Sequence, residues 1–392
     1  MFSTRTAWPR EPNALALAVA RRHAAGLPLS DLTVSNPTIC GLEYPVAALR
    51  DAIALGAAER YDPAPRGLRS AREAVSETYA RAGVAVEPDD LFLTAGTSEA
   101  YAHVLAVLCD PGDEVLVPVP SYPLFDYLLR LAGVRPVAYP LRYDGAWQVD
   151  LAALRAAMTP RTRAAIVVSP HNPAGVYLAA DELDALAGFC AERGLGLVVD
   201  EVFRDYPHGR ESTVPPSAAA NSRCLTFTLD GISKSLGLPH YKLGWIALSG
   251  PATARREAAG RLEIVTDTYL SAGTPVQAAL PALFTIGARI RAAIQGRLRS
   301  SLAVLDAGTG GDSPLTVLRA DAGWSAILRV PGMRTDEELA VALVERHGQL
   351  VHPGHFFDLP IAGSVVVSLL AEPAALARGL AALRDECADV SR

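Results

Sequence analysis

Residues 164–202 read AAIVVSPHNPAGVYLAADELDALAGFCAERGLGLVVDEV. An apolar, β-type run (164–169) breaks at Ser169-Pro170-His171-Asn172-Pro173-Ala174-Gly175. A helix-type segment (181–193) follows, and Gly194 and Gly196 lead into a second apolar run, 196–202. Strand, long crossover and strand is the sequence form of a parallel pair, because parallel neighbours cannot be joined by a tight hairpin. The same alternation continues outward, with strand candidates at 91–94, 114–118, 134–139, 225–229 and 243–249 and helical patterns at 98–108, 124–132 and 151–158. The expected fold is α/β, a large domain built on a mostly parallel seven-stranded sheet flanked by helices.

The flanks read differently. Residues 12–25 form an Ala-rich helix pattern followed by the irregular Ser35-Asn36-Pro37-Thr38. Beyond residue 275 come a long helix pattern (274–305), strand-like runs at 324–330 and 364–370, and helices at 335–346 and 373–385. This predicts a smaller α+β domain of residues 276–392, an N-terminal segment 1–40 packing with it, and a large domain of residues 41–275. With 392 residues, 50% hydrophobic and 20% charged, the chain has ample material for a core. A net charge of −6 gives no basic footprint for nucleic acid. No stretch approaches the roughly 18 apolar residues of a membrane span. Residues 1–12 carry no secretion-signal pattern, so a cytoplasmic location is expected. The five cysteines are scattered without metal or disulfide spacing and read as reduced, mostly buried thiols.

Of 36 basic residues only Lys234 and Lys242 are lysines; the other 34 are arginines. A guanidinium stays protonated, whereas a lysine amine can lose its proton and attack a carbonyl, so chemistry can forbid the exchange. Ligands of open parallel sheets bind beyond the carboxyl ends of the strands, which directs attention to the turns there. Gly96-Thr97-Ser98 leads from a strand into a helix, an arrangement suited to phosphate, although Ser98 read alone is equally an N-cap. Tyr122, after Pro118-Val119-Pro120-Ser121, could stack on a planar ligand or merely pack in its turn. Asn172 could donate a neutral hydrogen bond or serve only its turn. Asp200 and Glu201 end an apolar strand; Glu201 reads as an exposed loop acid, whereas a buried Asp200 needs a cationic partner. Lys234 follows the next strand in Asp230-Gly231-Ile232-Ser233-Lys234-Ser235. Together an imine-forming lysine, an acid, a phosphate turn, a ring and an amide fit pyridoxal phosphate.

In this order, GTS, SYP, HNPAG, DEVF and SKSLGLP…KLGW, the motifs resemble those of fold-type I pyridoxal-phosphate aminotransferases, class I/II, of the aspartate aminotransferase superfamily, across nearly the whole chain. The resemblance implies Lys234 as Schiff-base and proton-shuttling lysine, Asp200 as partner of the ring nitrogen, Tyr122 as stacked ring, and Asn172 as donor to the phenolic oxygen and contact to substrate. Gly96, Thr97, Ser98, Ser233 and Lys242 would hold the phosphate, and Asn36 would line the substrate side. Tyr61, in Tyr61-Asp62-Pro63-Ala64-Pro65-Arg66-Gly67, would reach the phosphate of the neighbouring subunit in a homodimer. The implied partners are an amino donor and a carbonyl acceptor.

Four positions depart from the family pattern. Phe203 stands where a tyrosine is common, Lys242 replaces a phosphate-binding arginine, and Gly231 replaces a phosphate-binding serine. Val366 stands two residues before Ser368, where an arginine normally grips the substrate carboxylate. An aminotransferase is the leading expectation; a lyase, decarboxylase or racemase on the same fold is the alternative that Val366 suggests. A nicotinamide-dependent oxidoreductase lacks its GxGxxG and leaves Lys234 unexplained.

Overall fold

The computed structural model describes residues 1–57, 61, 63–209, 214–332 and 334–389; Asp62 of the Tyr61 motif lies outside them. Its large sheet comprises β1 (Leu91–Thr94), β2 (Glu114–Val119), β3 (Arg135–Tyr143), β4 (Trp147–Val149), β5 (Thr162–Val168), β6 (Gly196–Asp200), β7 (Thr226–Gly231) and β8 (Gly244–Ser249). The strand order is β1-β8-β7-β6-β5-β2-β3-β4. All seven expected strands form. The eighth, β4, corrects the predicted count: Asp144 and Gly145 turn the chain back so that Trp147–Val149 pairs antiparallel with the end of β3.

Alternate residues of the central strands explain their continuous apolar reading. Ala165, Val167, Leu197 and Val199 join one hydrophobic cluster; Ile166, Val168 and Val198 join another. Each strand is therefore covered on both faces, as parallel sheets require. Between β5 and β6 the helix Ala180–Arg193 ends at Gly194, whose φ of 64° closes the last turn in the left-handed conformation.

β2, β5, β6 and β7 run parallel, and β8 is antiparallel to both β7 and β1. The carboxyl ends of β1, β2, β5, β6 and β7 consequently share one edge with the amino end of β8. A second sheet is antiparallel, built from β9 (Thr316–Val317), β10 (Ser325–Arg329), β11 (His352–Pro353) and β12 (Ser364–Ser368) in the order β9-β10-β12-β11. Ser30–Asp31 pairs parallel with Gln349–Leu350. The 36-residue helix Thr274–Thr309 packs against the helices Val46–Ala57, Arg69–Arg81 and Pro373–Asp389.

Candidate active site

The shared strand edge and the second sheet enclose a cavity of about 700 Å³. After β1 the chain turns at Gly96, whose φ of 144° is a conformation side chains rarely adopt, and starts the helix Thr97–Leu108. Gly96 itself occupies the cap position and no side chain among the described residues caps this helix, so Ser98 is not the N-cap, and the first-turn amides of Thr97 and Ser98 are open to an anion. Because β8 enters from the opposite direction, Gly244 pairs with both Thr94 and Gly231. That brings Lys242 beside the turn: a β-carbon on Gly96 would lie 3.8 Å from Lys242 Nζ. Lys242 itself has φ 54° and ψ 62°, a left-handed backbone of the kind that persists where a side chain must be aimed.

Gly231 accounts for one departure from the family pattern. A β-carbon there would sit 2.9 Å from Gly244 Cα and 2.9 Å from the Leu243 carbonyl oxygen, both backbone atoms. A serine is excluded by this close strand approach. Gly231→Ser is expected to destabilise the chain by about 2–3 kcal/mol, read as a lower urea midpoint; an unchanged midpoint would refute this reading.

Asp200 ends β6 and is buried. The Tyr101 hydroxyl donates to its Oδ2 at 3.0 Å and the Val202 amide to its Oδ1 at 3.1 Å. Burial pushes the carboxyl up to about 6, with Glu201 adding to the rise; the two hydrogen bonds and Lys234 oppose it. Glu201 corrects the expectation of an exposed loop acid. It is buried and accepts from Ser217 Oγ at 2.6 Å and the Ala218 amide at 2.7 Å, tying the Pro215–Asn221 segment to the sheet.

The Lys234 amine lies 5.0 Å from the Trp324 ring centroid, 5.7 Å from that of Phe203 and 3.5 Å from the Ser35 carbonyl oxygen. Desolvation lowers its pKa and Asp200 opposes the shift, which favours an amine able to give up its proton. Phe203 packs edge-on against Trp324 at 5.3 Å, so the wall offers an apolar ring where the resemblance called for a hydroxyl.

Gly96, Thr97, Ser98, Tyr122, Asn172, Asp200, Ser233, Lys234, Lys242 and Asn36 all line this one cavity. Tyr122 is 47% exposed and is therefore not a packed core ring. Asn172 Oδ1 accepts from Ser325 Oγ at 3.4 Å. Tyr61 does not join the others: it is 65% exposed and borders a separate small cleft. Val366, in the middle of β12, lines the cavity opposite His352 in the strand register. Among the described residues lining the cavity none is an arginine. Sequence reasoning missed Tyr101, Trp324 and His352. Tyr101 carried a signal, a polar ring one turn into a helix that starts at a ligand-type turn.

The residues fit pyridoxal phosphate. A glycine cradle, an uncapped helix start and Lys242 suit its phosphate; a buried carboxyl whose charge wants a cation suits its ring nitrogen; a lysine amine suits its aldehyde.

Comparisons with known proteins agree. The sequence model described as aminotransferase class I and II matches residues 32–383. An alanine aminotransferase of Mycobacterium tuberculosis is 30% identical over 319 residues, covering 80% of this chain and 70% of that one. The arginine–pyruvate transaminase AruH of Pseudomonas aeruginosa is 31% identical over 319 residues, covering 79% and 78%. Among solved structures, an N-succinyldiaminopimelate aminotransferase from Mycobacterium tuberculosis superposes with a TM-score of 0.82 at 26% identity, covering 98% of this chain and 100% of that one. A match of this extent, on a chain that gathers its cofactor-type residues in one cavity, makes the protein a member of the class I and II aminotransferase family, a pyridoxal-phosphate-dependent aminotransferase.

Proposed function

We propose that Lys234 and Asp200 carry the reaction and that the single observation supporting this is their common placement, amine and buried carboxyl, in the cavity bounded by Gly96, Tyr122 and Asn172. When bound, the cofactor supplies an aldehyde to take up the amino group and a ring to accept electrons. Lys234 Nζ holds the cofactor and, once free, is the base that takes the proton from the substrate carbon bearing nitrogen. Asp200 keeps a proton on the ring nitrogen. Gly96, Thr97, Ser98, Ser233 and Lys242 bind the phosphate, Lys242 as a point charge. Tyr122 covers a ring face, Asn172 donates to the phenolic oxygen, and Asn36 meets the substrate.

The chain is proposed to act as a homodimer in the cytoplasm, with Tyr61 directed into the partner's site. The division into residues 1–40, 41–275 and 276–392 belongs to the same reading. The names of the relatives, alanine aminotransferase and arginine–pyruvate transaminase, suggest an amino acid donor and a keto acid acceptor, pyruvate among the first to try. They do not favour the lyase, decarboxylase or racemase alternative.

The test is a half-reaction screen by absorbance on the cofactor-loaded protein, pairing each amino acid with the amine that lacks its carboxylate. The expected result is loss of the visible band with an amino acid and its return with a keto acid. Conversion by amines alone would show that the Val366 wall has given up a carboxylate site. A persisting band with release of pyruvate or carbon dioxide would overturn the proposal.

A further inference from the structure

The helix Thr97–Leu108 does more than start at the anion turn: one turn in, it turns a buried phenol onto the acid at the end of β6. Tyr101 is 4% exposed, packs edge-on against Phe125 at 5.3 Å and donates to Asp200 Oδ2 at 3.0 Å. No other side chain among the described residues hydrogen-bonds that carboxyl; the Val202 amide takes its other oxygen. Accepting on both oxygens fixes the plane of the carboxylate and leaves each oxygen a lone pair, so its direction is set before any ligand arrives.

We infer that Tyr101 is a positioning residue for the amino-transfer reaction, holding Asp200 in the orientation and the ionised state in which it meets the cofactor's ring nitrogen. This rests on the reading that Asp200 serves that nitrogen. A hydroxyl donating to a carboxylate stabilises the anion selectively, since the neutral acid needs an acceptor for its own proton. Tyr101 keeps its proton available to donate: burial and the charge of Asp200 push its own pKa far up, so the phenol stays protonated. The charged and titratable neighbours of Asp200 are Tyr101 from the helix, Glu201 just past the end of β6, Lys234 from the turn after β7, and Asp230 on β7. Glu201 raises the carboxyl and Lys234 lowers it, so Tyr101 and the Val202 amide supply the hydrogen-bonded share of the stabilisation.

The test uses the full-length chain with two readouts that do not depend on turnover. Infrared difference spectra of ¹³C-aspartate-labelled protein against Asp200→Asn isolate the Asp200 carboxyl and follow its titration. Equilibrium dialysis gives the dissociation constant of pyridoxal phosphate. In Tyr101→Phe the carboxyl is expected to titrate about one unit higher, the equivalent of one lost hydrogen bond to an anion, and cofactor retention at pH 7 to weaken at least about twofold as the ionised share of Asp200 falls. Tyr139→Phe removes a buried hydroxyl that donates to the Ile166 carbonyl oxygen at 2.8 Å, away from Asp200, and is expected to change neither readout. Replacing Tyr101 by 3-fluorotyrosine keeps the ring and strengthens the donor, so the titration moves down; this arm decides the matter if Tyr101→Phe folds poorly. An unshifted titration in both Tyr101 proteins overturns the inference while leaving Asp200 in its role. If Asp200→Asn binds the cofactor like the parent protein, the reading of Asp200 fails and the inference with it.

Discussion

Lys234→Ala is expected to lower turnover by on the order of 10⁴ while leaving the fold in place. The amine stands between Phe203 and Trp324, makes one long contact to the Ser35 carbonyl and holds no ion pair among the described residues, so its loss removes chemistry and little packing. Lys234→Arg separates the two reasons a lysine could be needed there. A guanidinium would keep the positive charge near Asp200 but cannot lose its proton or capture an aldehyde. Both variants are expected to be equally inactive and to lose the bond between chain and cofactor that borohydride fixes in the parent protein, measured by intact mass. A small amine added in solution is expected to restore part of the activity of Lys234→Ala and none of Lys234→Arg, whose side chain fills the space. Turnover by Lys234→Arg within tenfold of the parent would sink the assignment of Lys234.

Much of this site was legible because a parallel sheet converts sequence order into position. Once 91–94, 164–169, 196–202 and 225–229 are recognised as strands, the residues that follow them must meet at one edge, which is where Gly96, Asn172, Asp200 and Lys234 lie. Lys242 was legible for another reason, its survival as lysine in an arginine-rich chain. Its location beside Gly96 needed the antiparallel direction of β8, which apolar patterning does not encode. Trp324 was hidden because an aromatic in an apolar run reads as core until its neighbour across space is known. Glu201 was misread since its partners, Ser217 and Ala218, lie in a segment that composition marks as surface loop. β4 was lost because three residues are too few to show a period.

The departures fall into two kinds once distances are known. Gly231 reflects backbone geometry, since Gly244 leaves no room for a side chain. Phe203 and Val366 both face the cavity, so they alter what a substrate meets. Phe203 removes a hydroxyl near Lys234, and Val366 leaves β12 with an apolar face beside His352, whose own pKa burial lowers. A substrate carboxylate at that end would meet no arginine among the described lining residues and would have Asp31 near His352, which is why pairing donors with and without a carboxylate is the informative screen.

Asp200→Asn is expected to trade activity for stability, with opposite signs on the two sides of a pH window. The unfolded chain binds the Asp200 proton with a pKa of 3.8, and burial raises the folded value to about 6. The folded state therefore holds its proton more tightly: its stability is fully present below 3.8 and is lost as pH rises through 6. Above pH 7 the buried carboxylate costs the cofactor-free chain about 3 kcal/mol, from roughly two units at 1.36 kcal/mol each. Asparagine carries no charge, but its amide can accept from only one of the two donors, Tyr101 and the Val202 amide, and the other left facing an NH₂ costs about 1 kcal/mol. Asp200→Asn should thus be the more stable protein by about 2 kcal/mol above pH 7, lose that advantage as the pH is lowered, and become the less stable one below about pH 4.5. Its turnover should fall by on the order of 10²–10³, because a neutral amide cannot keep a proton on the ring nitrogen of the bound cofactor. Urea midpoints at pH 8 and pH 4, taken with kcat, check both halves. A stability difference that stays constant across that range would show that Asp200 is not a buried charge, and parent-like turnover would remove it from the reaction.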